Sequence, residues 1–179
     1  NRLSKPPKLA EMGEGAELVQ PAPLNGRWQM QAPLIVGSRV IVAAPESEKL
    51  LCLDLLSGKK LWERNRDGLF AIEGVHGEVV IVADGNSIRA LKLADGNSAW
   101  SATVGPIAGR GVVSGGQLYI PVLNLGVRRL DLATGAVSGE WRSTGDQPVL
   151  GHLAMYAGLV LAHGPYGVTA FAQADSIRT

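Results

Sequence analysis

The chain has little cysteine and almost no net charge, and each shortage removes a class of protein. The single cysteine, Cys52, excludes an intrachain disulfide and any metal site built from several cysteines. The formal net charge of +1 over 179 residues gives no field that favours nucleic acid or an anionic membrane surface. No apolar run approaches the roughly 18 residues of a membrane-spanning helix.

A secretory signal pattern is also missing from the first residues, and the chain begins with Asn1. We therefore expect a piece of a longer polypeptide. Glycine, by contrast, is plentiful at 23 residues, as in proteins with many short strands joined by tight turns.

A short pattern recurs along the chain and predicts the fold. Its copies are Leu53-Asp54-Leu55-Leu56-Ser57-Gly58 followed by Trp62, Leu91-Lys92-Leu93-Ala94-Asp95-Gly96 followed by Trp100, and Leu130-Asp131-Leu132-Ala133-Thr134-Gly135 followed by Trp141. A weaker fourth copy has Ser176 in place of the glycine. The three glycines are 38 and 39 residues apart, and a period of this length is typical of repeat architectures.

Each copy predicts a strand, a tight turn and a returning strand. The alternating leucines follow the two-residue period of a strand with one buried face. A short polar residue followed by glycine suits a turn that requires a positive φ. Further apolar runs precede each copy, such as residues 79–83, so that one unit holds four antiparallel strands and no helix.

We therefore predict an all-β fold, a β-propeller segment of about four four-stranded antiparallel blades. It is expected to be incomplete, or closed only with a partner or parent chain. The predicted blades span about 32–64, 70–103, 107–143 and 149–179 within a repeat domain of 29–179, and residues 1–28 are predicted to be an irregular lead-in or linker. A β-sandwich is the alternative, but it does not require glycine and tryptophan at one fixed period.

The repeat itself supplies the residues that we single out, and we interpret them as structural. Tryptophan buries a large area, so one per repeat is suited to filling the gap between neighbouring sheets rather than to stacking on a ligand. The structural repeat residues are Gly58, Trp62, Gly96, Trp100, Gly135 and Trp141. No catalytic, cofactor-binding or metal-binding residue is predicted.

Other polar residues also favour structural roles. The turn aspartates are expected to accept hydrogen bonds from nearby backbone amides; they are Asp54, Asp95 and Asp131. The three histidines lie far apart and lack the spacing of zinc ligands; they are His76, His152 and His163. The glycines around Arg110 form a turn cluster, since no helix follows as a phosphate loop requires.

Two further details of the repeats are predicted. The basic pairs Lys59-Lys60 and Arg128-Arg129 are expected to be solvated strand ends. Gly139 and Glu140 lengthen the last strand of the third repeat, which predicts a bulge there.

Closure of the ring has two solutions in the sequence. Trp28 stands just ahead of the first repeat, where it is either the closing tryptophan of a preceding repeat or, within Arg27-Trp28-Gln29, part of the missing outer strand of repeat four. An open arc exposes the faces of its end sheets, which then require a partner. We expect the remaining blades of a larger parent, with a homodimer as the other possibility.

The phrase Leu-Asp-x-x-(Ser/Thr)-Gly-x-x-x-Trp resembles the tryptophan-docking repeat of quinoprotein alcohol dehydrogenase-like propellers (PQQ-like repeats). Residues 53–62 and 130–135 match well, whereas Lys92 departs from the pattern and the fourth copy has lost its glycine. The family contains enzymes that use pyrroloquinoline quinone and non-catalytic scaffolds such as the outer-membrane assembly lipoprotein of the β-barrel machinery. The resemblance is closer to the scaffolds, because dehydrogenases tend to carry a vicinal disulfide, which one cysteine cannot form.

This resemblance implies a non-catalytic scaffold that binds protein or peptide partners in the periplasm or outside the cell, without a cofactor. The alternative is part of a quinoprotein dehydrogenase whose quinone and calcium site lies elsewhere in a longer chain. A sensor or solute-binding domain is a third possibility.

Overall fold

Fifteen strands and no helix make up the part of the chain that the structure describes. The computed structural model describes residues 32–43, 47–69, 71–123, 125–142, 151–164 and 167–172. The first sheet contains β1 (Leu34–Val36), β2 (Arg39–Val42), β3 (Lys49–Asp54) and β4 (Lys60–Asn65). The second contains β5 (Ala71–His76), β6 (Val79–Ala83), β7 (Ser87–Lys92) and β8 (Ser98–Thr103). The third contains β9 (Val112–Ser114), β10 (Gln117–Val122), β11 (Gly126–Asp131) and β12 (Val137–Arg142), and the fourth contains β13 (His152–Tyr156), β14 (Leu159–Gly164) and β15 (Gly167–Ala172).

Every sheet is an antiparallel meander whose strands pair in chain order. The first strands of successive sheets lie beside one another, β5 beside β9 and β9 beside β13. These strands therefore form an inner edge, and β4, β8 and β12 form the outer edge. Within the described ranges, no helix has the length and hydropathy that crossing a membrane requires.

Strand β6 shows how the sheets are stacked. Val80 and Val82 point into the core shared with the first sheet, whereas Ile81 and Ala83 point into the core shared with the third sheet. All four side chains are fully buried. Because successive side chains of a strand point to opposite faces, the second sheet is covered on both sides.

The interior consists of three cores, one between each pair of neighbouring sheets. In the first core, Ile41, Leu50 and Cys52 of the first sheet meet Val80 and Leu91 of the second. The second core joins Ile81 and Ile88 to Leu118, Ile120 and Leu130, and the third joins Tyr119 and Val127 to Leu153, Val160 and Ala162. Each buried aliphatic side chain contributes about 1.5–3 kcal/mol relative to its exposed state.

This arrangement confirms the predicted all-β architecture of four stacked antiparallel sheets. The described residues do not close a ring, since the outward faces of the first and fourth sheets present exposed apolar side chains such as Ile35, Tyr156 and Val168. The predicted lead-in at residues 1–28, Trp28 and the truncated last strand around Ser176 all lie outside the described residues.

One predicted detail is wrong. Gly139 and Glu140 are paired regularly, with Arg129 and Arg128 respectively, so they do not form a bulge. The bulge lies at Ser138, and Leu61 and Ala99 occupy the same place in the first two sheets, three residues after the turn glycine. It is therefore a feature of the repeat, not a result of the insertion, and it adds local twist to each outer hairpin.

Candidate functional site

The first and second sheets are joined at their outer edge by the indole of Trp62. Its Nε1 donates a hydrogen bond of 2.9 Å to the carbonyl oxygen of Leu93. The ring lies on Gly96, where an added Cβ would be 2.8 Å from the Cε3 of Trp62 and where φ is +74°. Only glycine fits there, because any side chain would both meet the ring and adopt a left-handed backbone.

The second and third sheets repeat this contact. Trp100 Nε1 donates to the carbonyl oxygen of Leu132 at 3.0 Å, and its ring covers Gly135, where a Cβ would be 2.5 Å from Cε3 and φ is +75°. The tryptophan of one sheet thus docks on the glycine turn of the next. The structure brings Trp62 to Gly96 and Trp100 to Gly135, so the tryptophan and glycine that the repeat singles out meet between neighbouring copies, not within one copy.

An aspartate side chain fixes each of the three repeat turns from within. Asp54 Oδ1 accepts hydrogen bonds from the amide and hydroxyl of Ser57, and Asp131 Oδ1 accepts the same bonds from Thr134. The second turn has Lys92 at this place, and Asp95 instead accepts the amide of Asn97. The prediction that these aspartates bond locally is confirmed.

The same hydrogen bonds set the acidity of the turns. Those from Ser57, first from its hydroxyl and then from its amide, hold the pKa of Asp54 below its ordinary value, and those from Thr134 act alike on the pKa of Asp131. The amide of Asn97 lowers the pKa of Asp95. All three carboxylates are therefore ionised and bonded at neutral pH.

Trp141 lies differently from the two docked tryptophans. Trp62 and Trp100 stand opposite Cys52 and Ala90, small residues on the neighbouring strand. In the third sheet that position is Gly139, opposite Arg129, and Trp141 lies two residues further along, opposite Val127. Large and small side chains have exchanged places across the strand pair.

The displaced indole makes its own contacts. The guanidinium carbon of Arg129 lies 5.6 Å from the centre of the Trp141 ring, within reach of a cation–π interaction. The ring of Tyr119 is 5.9 Å away, centre to centre. Together with Val127, Tyr119 belongs to the core against the fourth sheet.

The expectation that Arg128-Arg129 is a solvated strand end is wrong. Arg128 Nε donates to Glu140 Oε2 at 3.1 Å, and its Nη1 donates to the carbonyl oxygen of Val104 at 2.7 Å. Both arginines are half-buried in the middle of β11. Arg128 ties the third sheet to the segment that follows β8, because a charged donor on a backbone carbonyl makes a strong bond.

A polar cluster lies at the inner edge, and the sequence patterns did not predict it. Glu73 Oε2 accepts the amide of Gly111 at 2.9 Å, linking β5 to the segment before β9. Arg110 donates from Nη2 to the carbonyl oxygen of Ile72, and its amide donates to His152 Nδ1 at 3.0 Å. The cluster therefore joins the second, third and fourth sheets.

Glu73 is the electrostatic anomaly of this cluster. Burial raises the pKa of its carboxyl above the ordinary value, against the opposing attraction of Arg110. Its Oε1 is buried and finds no hydrogen-bond partner among the described residues. A charged residue inside the apolar run Ala71–Val75 was the sequence signal that could have drawn attention to it.

The remaining candidates for metal and thiol chemistry are the histidines and Cys52. His152 and His163 stand opposite each other on β13 and β14, closer than the sequence suggested. No group of three or more His, Cys, Asp or Glu side chains there is placed to hold a metal ion. Cys52 is a buried free thiol, and burial raises its pKa, which disfavours the reactive thiolate.

Solved structures of several proteins have a similar fold. The structure of BamB from Moraxella catarrhalis is 25% identical with a TM-score of 0.56, and 82% of this chain matches 48% of that chain. The chain thus spans about half the length of that protein. The computationally designed Ika4 protein, at 15% identity and a TM-score of 0.61, is matched over 92% of its length by 82% of this chain. Quinohemoprotein alcohol dehydrogenase from Comamonas testosteroni is 19% identical with a TM-score of 0.52, over 67% of this chain and 22% of that one.

Sequence comparison gives the family. No curated protein sequence matches this chain significantly. A family model does match residues 11–140, well over half of the chain, and its description is outer membrane protein assembly factor BamB. With its stacked four-stranded sheets joined by indoles docked on glycine turns, the chain belongs to the PQQ_2 family described by that name.

Proposed function

We propose that this chain is a non-catalytic β-propeller scaffold that binds an extended segment of a protein partner along β8. The residues of β8 are Ser98, Ala99, Trp100, Ser101, Ala102 and Thr103, and β8 is the last strand of its sheet. Four of its six residues are exposed. An exposed last strand presents unpaired backbone groups to which an extended peptide can add.

The observation that carries the proposal is the contrast between β8 and the other outer strands. Strand β4 contains Lys60, Glu63 and Arg64, and β12 contains Glu140 and Arg142. Charged side chains on an edge strand oppose the addition of another strand, and natural proteins use them for that purpose. Strand β8 has none, so of the three described outer strands it is the one on which strand addition meets least resistance.

The partner that fits this edge is an extended, largely uncharged peptide segment. The family description, outer membrane protein assembly factor, supports a role in assembling outer membrane proteins, which takes place outside the cytoplasm. The outward faces of the first and fourth sheets serve a separate purpose in this proposal. They pack against the remaining blades of a parent chain or against a second copy.

Site-specific photocrosslinking tests the proposed edge. A benzoylphenylalanine at Ser101 on β8 is compared with one at Asn65 on β4, which is likewise exposed on an outer strand. We expect a protein crosslink in the native cell envelope at position 101 and not at position 65, and Ala99→Lys should suppress it. Equal labelling at both positions, or labelling indifferent to Ala99→Lys, would contradict the proposal.

Melting experiments separate the scaffold from the alternative of a quinoprotein fragment. Pyrroloquinoline quinone and calcium are added together to the purified chain, and unfolding is followed by circular dichroism. A ligand that binds only the folded state raises the melting temperature. We expect no change at saturating ligand, and an increase that requires both additions would favour the quinoprotein alternative.

A further inference from the structure

Arg110 stands at the inner edge where three sheets meet, and its own peptide group is bonded on both sides to the fourth sheet. Its amide donates to Nδ1 of His152 at 3.0 Å, and its carbonyl oxygen accepts the amide of Leu153 at 2.9 Å. Its side chain donates in the other direction, to the carbonyl oxygen of Ile72 on the second sheet. The segment before β9 therefore connects the fourth sheet to the two sheets before it.

The two backbones lie in direct contact at this connection. A Cβ built on Gly109 would be 2.6 Å from the carbonyl carbon of Gly151 and 2.9 Å from the amide nitrogen of His152. No side chain fits at that distance, so the close approach requires glycine. Because main chain rests on main chain, the Arg110 amide is held where it meets the imidazole. The imidazole must therefore accept this hydrogen or move away.

The connection has particular weight because the fourth sheet shares the smallest of the three cores. Among the described residues, five buried side chains form the core between the third and fourth sheets, whereas eleven form each of the other two. Burial of apolar area is the main favourable term in joining sheets. A hydrogen bond at the inner edge thus supplies a larger share of the attachment here than it would between the first and second sheets.

The acceptor in this bond exists only in the neutral imidazole. A neutral histidine has one N–H group and one acceptor nitrogen, so a hydrogen bond received at Nδ1 puts the proton on Nε2. Protonation turns Nδ1 into a donor, and two N–H groups would then face each other across 3.0 Å. His152 is exposed, and the solvent can therefore deliver that proton.

We propose that the imidazole of His152 is a pH-sensitive latch, which holds the fourth sheet to the third when it is neutral and releases the Arg110 amide when it is protonated. The described titratable groups around it are His163, opposite on β14, Arg110 on the facing segment, and Glu73, which accepts the next amide along. Tyr119 of β10 lies in the core on the other face of β13. The guanidinium of Arg110 strengthens the response, because a protonated imidazole places a like charge at the same connection. This inference is independent of the proposed partner binding along β8.

Amide hydrogen exchange of the purified chain, followed by NMR at about pH 7.5 and about pH 5, tests the latch on either side of the ordinary histidine pKa of about 6.5. Protection factors, which correct for the pH dependence of exchange itself, measure local opening. We expect the protection of the Arg110 and Leu153 amides to fall about tenfold at the lower pH, as loss of roughly one hydrogen bond implies. The protection of Val80, buried in the second sheet, should stay constant.

His152→Asn is the informative variant, because the amide oxygen of asparagine can accept the Arg110 hydrogen but is not protonated in this range. The protection of Leu153 should then be the same at both pH values. His163→Asn, on the neighbouring strand, is the matched control and should keep the tenfold fall. Constant protection in the natural chain, a fall that persists in His152→Asn, or one that disappears in His163→Asn would each overturn the proposal.

The natural chain gives an independent measurement if His152→Asn does not fold. The midpoint of the loss of Leu153 protection should coincide with the titration of the His152 imidazole, followed by its ring NMR signals. A midpoint that follows His163 or His76 instead would contradict the latch. Glu73 is distinguished by sign, since burial raises the pKa of its carboxyl and its contribution to stability therefore declines as the pH rises.

Discussion

The same repeat builds all three interfaces between neighbouring sheets. The contacts of its tryptophan in the first two interfaces differ from those in the third. Between the first and second sheets, and between the second and third, an indole lies on a glycine and donates to a backbone carbonyl. Between the third and fourth sheets, the described contacts of the Trp141 ring are with Tyr119 and Arg129, and the corresponding turn of the fourth sheet lies outside the described residues. A tryptophan in nearly the same place of the repeat therefore makes two different sets of contacts.

A shift of two residues explains the difference. Six residues separate Gly135 from Trp141, whereas four separate the glycine from the tryptophan in the other two repeats. Because the bulge stays three residues after the glycine, the two extra residues continue the regular pairing and carry Trp141 away from the turn. The position of the indole thus follows the register of the outer strand relative to its own turn.

The largest expected effect comes from removing a docked indole. Trp62→Ala should lower the free energy of unfolding by about 4 kcal/mol, because it empties a buried site and leaves the Leu93 carbonyl without its donor. Trp141→Ala should cost about 2 kcal/mol, since that ring is half-buried and rests against side chains that can adjust. Urea unfolding measures both, and equal losses would erase the distinction between the interfaces.

Substitution of the receiving glycines comes next. Gly96→Ala should cost about 3 kcal/mol, because the new methyl group meets the Trp62 ring and the backbone is left-handed. Gly115→Ala, at φ of +57° with nothing within 4 Å, isolates the backbone part and should cost about 1 kcal/mol. In a Trp62→Ala background, Gly96→Ala and Gly115→Ala should cost nearly the same free energy of unfolding. If Gly96→Ala still costs more, the strain does not arise from the indole.

Much of this was predictable from the sequence, for a physical reason. The apolar run before the turn and the polar residue before Gly58 predict the strand and the turn, although Leu55 lies beyond the end of β3 and is exposed, and Leu50 and Cys52 are the buried residues of that strand. One period of the repeat places Trp62 near Gly96, since stacked units contact only their neighbours. Residues whose surroundings repeat could therefore be interpreted correctly.

The features that the sequence did not predict share a physical cause. The place of Trp141 depends on which residue stands opposite it across the strand pair, and spacing along one strand does not give that register. The inner-edge contacts depend on residues 38 apart for Glu73 and Gly111, and 42 apart for Arg110 and His152. These separations are close to the repeat period, but backbone amides donate both bonds, so only the opposite charges of Glu73 and Arg110 could have been recognised in the sequence.

Restoring the common spacing in the third repeat sharpens the comparison. Deleting Gly139 and Glu140 should place the indole of Trp141 opposite Arg129, where two large side chains compete, at a cost of about 2 kcal/mol. Arg129→Ala should destabilise the natural chain through loss of its contact with Trp141 but stabilise the deletion variant by about 1 kcal/mol, since it recreates the pairing of Trp100 with Ala90. Urea unfolding of the four proteins measures this change of sign, and Arg129→Ala acting alike in both backgrounds would count against the role of register.

The smallest expected effect is on the pH dependence of stability. It has opposite signs for the turn aspartates and for Glu73 at the inner edge. Hydrogen bonds lower the pKa of the turn carboxyls Asp54 and Asp131, so their contribution is complete above about pH 4 and is lost as the pH falls below the ordinary aspartate pKa. Burial raises the pKa of Glu73, so the folded state binds its proton more tightly than the unfolded state does. The stability that Glu73 gives is therefore complete below about pH 4.3 and declines as the pH rises through its folded pKa.

Glu73→Gln isolates the inner-edge part of that profile. The amide keeps an oxygen that can accept the Gly111 hydrogen bond but cannot ionise, so the decline of stability above about pH 4.3 should become shallower. At neutral pH the change should stay within about 1 kcal/mol, because relief of a buried charge opposes the lost attraction to Arg110. Urea unfolding between about pH 4 and pH 8 measures the slope, with Glu78→Gln on an exposed turn as the matched loss of charge. An unchanged slope in Glu73→Gln would mean that ionisation of Glu73 costs the folded state nothing and that the pH dependence in this range comes from other groups.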